Sequence, residues 1–132
     1  MSFKAGFGRV NITPSYSVPL AGYGNTLTRM STGFASYLYV TCVAVTDAND
    51  QTVLLFSCDL IGLADYYAAE LRTAISAATG VPSENIMLAC THTHSGPDIR
   101  DTVTREHPYY AFFREQLVKA AAEAMDAAFR AE

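Results

Sequence analysis

Apolar residues come in short blocks along the chain, separated by glycine, proline and polar breakers, and the blocks follow two periodicities. Residues 37–46 (Tyr-Leu-Tyr-Val-Thr-Cys-Val-Ala-Val-Thr) are rich in β-branched and aromatic side chains and predict a strand. After the turn Asp47-Ala48-Asn49-Asp50-Gln51, residues 52–58 predict a second strand and so a hairpin. Its uninterrupted Val53-Leu54-Leu55-Phe56 points to a central strand covered on both faces. Residues 3–12 alternate loosely around two glycines, which predicts a strand with a bulge or a close backbone approach. Helical spacing appears over residues 64–79, where Tyr67, Leu71, Ile75 and Ala78 form one stripe and Gly80-Val81-Pro82 stops it. It appears again from Tyr109 to about Ala131, with Phe113, Leu117, Ala120, Ala124 and Ala128 on one side.

Between the helices, Ile86-Met87-Leu88-Ala89-Cys90 is a short apolar run that reads as a buried strand. Strand, helix, strand implies a right-handed crossover into a parallel neighbour. The expected fold is therefore α/β: a mixed β-sheet with a hairpin, a βαβ crossover and a C-terminal helix packed on the sheet. A length of 132 residues suits one domain, which would bury roughly two thirds of its unfolded surface.

The last strand runs into Thr91-His92-Thr93-His94-Ser95-Gly96-Pro97-Asp98. In an extended chain alternate side chains share a face, so His92 and His94 would project one way and Thr91 and Thr93 the other. Imidazole binds metals and exchanges protons near neutrality, so the pair is a candidate metal or catalytic site. An ordinary surface turn carries such a pair equally well, and zinc needs three or four ligands where this motif offers at most two. Asp59 directly follows the strand at 52–58, at a carboxyl end where ligands bind in open α/β sheets; a turn former or helix cap is its other reading. Asp59 and His92 would then emerge at the same edge of neighbouring strands. His107 reads as an exposed loop histidine.

Residues 13–36 are loop-like, and so long a loop is usually functional or mobile. Its stretch Gly22-Tyr23-Gly24-Asn25 is either a substrate-facing loop whose bare amides approach a ligand or a plain surface loop.

Composition narrows the classes. Half the residues are hydrophobic and 17% charged, which suits a packed domain. A net charge of −4 gives no footprint for nucleic acid or anionic lipid. No apolar run approaches the ~20 residues of a membrane span, and the N-terminus lacks the layout of a secretion signal. Cys42, Cys58 and Cys90 are odd in number and embedded in apolar runs, which predicts buried structural thiols and a cytoplasmic location. Serine hydrolysis through Ser95 is disfavoured, because no Gly-x-Ser-x-Gly elbow is present.

Residues 3–14 (Phe-Lys-Ala-Gly-Phe-Gly-Arg-Val-Asn-Ile-Thr-Pro), Pro19-Leu20-Ala21-Gly22-Tyr23, Ser57-Cys58-Asp59-Leu60 and Thr91-His92-Thr93-His94-Ser95-Gly96-Pro97 together resemble the neutral/alkaline non-lysosomal ceramidase family. The last string is the specific one. Members of that family are zinc amidases that cleave the N-acyl bond of ceramide. The resemblance implies that residues 1–132 correspond to an N-terminal portion of a longer catalytic domain. It implies zinc at His92, a catalytic role for His94 beside the metal, and a substrate-binding loop at Gly22, Tyr23, Gly24 and Asn25. Asp59 is a candidate catalytic partner that orients an imidazole. The family's remaining ligands, a histidine, a glutamate and a tyrosine, lie downstream of this segment. Asp98 stands where a small residue usually follows Ser-Gly-Pro. The expected partners are a small-molecule or lipid amide and either a second copy of the chain or the remainder of a catalytic domain; if the latter, one apolar sheet face should be exposed. The contrasting expectation is a non-catalytic domain that binds a ligand or partner through the Gly22–Asn25 loop.

Overall fold

A computed structural model describes residues 2–24 and 28–130. Four strands, β1 (Lys4–Asn11), β2 (Tyr39–Thr46), β3 (Thr52–Cys58) and β4 (Ile86–Cys90), form one sheet in the order β1-β2-β3-β4. The first two pairings are antiparallel and β3–β4 is parallel. Helix α1 (Asp65–Thr79) makes the crossover between β3 and β4, and α2 (Pro108–Arg130) follows the last strand. This is the expected mixed α/β sheet.

Local chemistry explains the boundaries. At the β2–β3 turn the Asp47 carboxylate accepts the backbone N–H groups of Asn49 and Gln51, each at 2.9 Å. Helix α1 ends at Gly80 in the left-handed conformation (φ 79°), whose N–H reaches the Ser76 carbonyl at 2.8 Å. Its Tyr67, Leu71 and Ile75 are buried as expected, whereas Ala78 is exposed in the final turn.

The residues that face the helices, Val10, Val40, Cys42, Ala44, Leu54, Phe56, Cys58 and Ile86, form the core with Phe113, Leu117, Ala120 and Ala124 of α2. Gly6 and Gly8 of β1 face α2, and a Cβ built on Gly6 would lie 1.9 Å from the Ala124 carbonyl oxygen. The β1–β2 ladder is regular through both glycines, so they mark a close backbone approach and not a bulge. The buried Tyr109 hydroxyl donates to the Ile12 carbonyl at 2.6 Å, and burial pushes its pKa well up. That bond ties α2 to the start of the long loop.

The opposite face of the sheet is open. Phe7, Val43, Leu55 and Met87 stand in register across all four strands, with Phe7 59%, Leu55 41% and Met87 56% exposed. The expectation that β3 is covered on both faces is therefore corrected, since Val53 and Leu55 lie uncovered. Both faces of β3 are apolar, but the helices cover only one.

All three cysteines are free thiols. Cys58 and Cys90 are direct neighbours across β3 and β4, and the Cys58–Cys90 hydrogen bond raises the Cys58 pKa and lowers that of Cys90. Burial pushes the Cys42 thiol up to about 12.

Candidate functional site

Because β3 and β4 are parallel neighbours with Cys58 opposite Cys90, the segments after them leave the sheet side by side. Asp59 and His92 thus emerge at one edge, as expected. The segments are laced together: Thr91 N–H donates to the Cys58 carbonyl (3.0 Å) and Thr93 N–H to the Leu60 carbonyl (3.2 Å).

His92 is not in an extended conformation. Its φ is 64°, as is that of Ser95, in the left-handed region that non-glycine residues seldom occupy. The chain therefore kinks after β4. Even so, the His92 and His94 rings meet edge to face with centroids 5.1 Å apart, and the Thr91 and Thr93 hydroxyls bond to each other at 2.6 Å. The expected pairing of histidines with histidines and threonines with threonines is present, but the kink produces it rather than strand alternation.

The Nδ1 of His92 lies 3.1 Å from the Ile61 carbonyl oxygen. A carbonyl can only accept, so Nδ1 carries the proton in this bond and the neutral ring keeps its lone pair on Nε2. This is how a backbone carbonyl fixes a metal-binding imidazole. Asp59 does not have that part. Its Oδ2 accepts the Tyr39 N–H at 2.9 Å and its Oδ1 the Thr91 hydroxyl at 3.2 Å, so the carboxylate braces the loop behind the histidines.

The long loop folds back onto the histidine loop. Residues 18–21 pair on one side with 29–31 (Leu20 N–H to Arg29 O and Ser31 N–H to Val18 O, both 2.9 Å). On the other side they pair with 95–98, through Ala21 N–H to Gly96 O and Ser95 N–H to Ala21 O (both 2.9 Å), and Asp98 N–H to Pro19 O (3.1 Å). Gly22 has φ 114°, and a Cβ there would sit 2.7 Å from His94 Nδ1. Its bare backbone makes room for an imidazole. Tyr23 packs edge-on against His94 with ring centroids 5.2 Å apart. Gly24 is exposed with φ 80°, and Asn25 lies outside the described residues.

Beside His94 opens a cleft of about 250 Å³. Leu20, Phe34, Leu38 and Pro97 give it an apolar wall, and Thr93, His94 and Ser95 give it a polar end. His107 lies apart from this cluster: its Nδ1 accepts the Tyr109 N–H at 3.1 Å, at the start of α2.

Three participants escape a reading of the sequence. The Ile61 carbonyl carries no side-chain signature. Asp98 is fully buried: its Oδ2 accepts the Thr102 hydroxyl at 3.0 Å, and Arg100 Nε lies 3.5 Å from its Oδ1. Arg29 donates from Nη2 to the Ser95 hydroxyl, and its guanidinium lies over the Tyr23 ring, 4.5 Å from the centroid. A signal for Arg29 does exist, because it is the only charged residue between 13 and 36.

The donor set fits zinc in part. Nε2 of His92 is an oriented donor, but among the described residues no three His, Cys, Asp or Glu side chains converge to hold a metal. Among the described residues the donor set is one oriented imidazole nitrogen and not a coordination sphere. No helix among the described residues is long and apolar enough to cross a membrane.

The fold and site define an α/β layer that carries an imidazole pair at the carboxyl edge of parallel strands, next to an apolar cleft. No family model matches the chain, and no curated protein matches its sequence. Solved structures do share its fold. The chain superposes on a neutral ceramidase from Pseudomonas aeruginosa with a TM-score of 0.81 and 21% identity, over 95% of this chain and 22% of that one. A ceramidase complexed with C2 gives a TM-score of 0.81 and 21% identity, over 95% and 21%. The chain spans about a fifth of the length of these structures, and what it shares with them is the fold. The resemblance read in the sequence is met at that level.

Proposed function

We propose that this chain is part of a zinc-dependent amidase that hydrolyses the N-acyl bond of ceramide or a related N-acyl amide. The observation that carries this reading is the bond from His92 Nδ1 to the Ile61 carbonyl, which leaves Nε2 free to bind a cation beside His94 and the apolar cleft. The ceramidase fold supports it. His92 would hold the zinc, and the ligands that complete the sphere come from chain beyond these 132 residues or from a second copy. When bound, zinc supplies Lewis-acid polarisation of the amide carbonyl and a water acidic enough to ionise near neutrality. His94 donates a hydrogen bond to the carbonyl oxygen as negative charge gathers there. Leu20, Phe34 and Leu38 take the acyl chain and keep water from it. Asp59, through Tyr39 and Thr91, holds the loop in place.

Zinc content tests the reading. The natural full-length protein should carry close to one equivalent of zinc by elemental mass spectrometry, and His92→Ala should lower that affinity by at least about 100-fold. The isolated 132 residues should show little hydrolysis, because their ligand set is incomplete. A full-length protein that takes up no zinc would instead favour a non-catalytic domain that binds a ligand through the same cleft.

A further inference from the structure

We propose that Arg29 selects the substrate: the preferred amide carries a carboxylate on its amine portion, as an N-acyl amino acid does. This inference rests on the amidase reading and narrows its substrate class. Arg29 is partly buried in a loop with no other charge, and no carboxylate among the described residues lies within ion-pair range of it. The guanidinium keeps contact with solvent and no carboxylate of the described residues neutralises it, so its charge is open to an anionic ligand.

Its neighbours place it beside the site, next to the cleft and not in its lining. Nη2 bonds the hydroxyl of Ser95, the residue after His94, and a longer contact of 3.4 Å reaches the Ala21 carbonyl. The guanidinium covers one face of Tyr23, while the same ring meets His94 edge-on. One aromatic ring therefore separates the cation from the imidazole. Two of the five N–H donors are engaged, which leaves enough for a paired contact with a carboxylate.

The polarity of the site gives the substrate a direction. Leu20, Phe34 and Leu38 line the cleft next to His94, and the cation stands by Ser95 at its polar end. An acyl chain in the cleft puts the scissile amide at His94 and the amine substituent towards Arg29. Sphingosine offers only hydroxyls there; an amino acid offers a carboxylate that the fork of the guanidinium fits.

A carboxylate could also come from the released fatty acid, so the test uses three probes on the metal-free protein: N-lauroylglycine, the neutral N-lauroylethanolamine and laurate, each titrated by calorimetry. N-lauroylglycine should bind about tenfold or more tightly than the neutral amide. Arg29→Gln should abolish that ratio and Arg29→Lys should keep part of it. Equal affinity of the wild-type protein for the two amides overturns the proposal, with no need of a variant that folds. So does laurate binding as tightly as N-lauroylglycine with the same dependence on Arg29, since the residue would then read the acid product. A ratio unchanged in Arg29→Gln makes Arg29 a staple for Ser95 and likewise overturns it. Removing the metal separates the two readings. A preference without zinc uptake sinks the amidase reading alone, and zinc uptake without a preference sinks this one alone.

Discussion

Alanine at Gly6 is expected to cost the fold at least about 3 kcal/mol, because the new methyl meets backbone and not a side chain that can turn away. Its Cβ would lie 1.9 Å from the Ala124 oxygen and 2.3 Å from the Ala128 nitrogen. The first distance is roughly 1.5 Å inside ordinary van der Waals contact. Helix α2 would have to lift from β1 and carry Phe113, Leu117 and Ala120 out of the core they share with the sheet. Gly33→Ala is the matched control, since nothing lies within 4 Å of a Cβ there; it should change stability by less than about 0.5 kcal/mol. Urea denaturation of the two variants checks the pair. A Gly6→Ala protein within about 1 kcal/mol of wild type would show that α2 slides freely over β1.

Alanine at Gly22 should act on the site before it acts on the fold. The added Cβ would lie 2.7, 2.8 and 2.9 Å from Nδ1, Cγ and Cβ of His94, so the whole side chain must move. The backbone at φ 114° resists any residue with a Cβ, a further cost of about 1–3 kcal/mol. The imidazole would leave its contacts with Tyr23 and His92, and on the proposed amidase reading an error of about 1 Å in such a group costs on the order of 100-fold in rate. Ring-to-ring nuclear Overhauser effects between His92 and His94 should disappear in the variant. Their persistence would mean that Gly22 does not set the position of His94.

The elements of this fold are legible because each carries its own period. The β-branched run of β2, the apolar run of β3 and the alanine stripe of α2 announce themselves locally. The two glycines in β1 signal a bulge or a close backbone approach, and the structure makes it the approach of α2. What could not be read depends on partners distant in the chain. Ser95 and Arg29 are 66 residues apart, and only folding the long loop back onto the histidine loop brings them together. The acceptor that orients His92 is a main-chain oxygen, which any residue at 61 would supply. A carboxylate one strand-end away is the natural guess for that acceptor, yet Asp59 is already taken by Tyr39 and Thr91. The coverage of β3 departs from expectation for a related reason: hydrophobicity on both faces says that both want to be covered, and not which one the chain's own helices reach.

The left-handed backbone at His92 and Ser95 sets conformational economy against chemistry. At such a φ, glycine is the residue the main chain would choose for itself, and an imidazole is held there against roughly 1 kcal/mol of preference. Variants enriched purely for heat resistance should therefore drift towards glycine at these two positions, and sequencing the survivors would reveal it. Such a population would keep the sheet and both helices and lose the imidazole that the Ile61 carbonyl orients. For this domain, hardiness and competence are selected in opposite directions at the same residue.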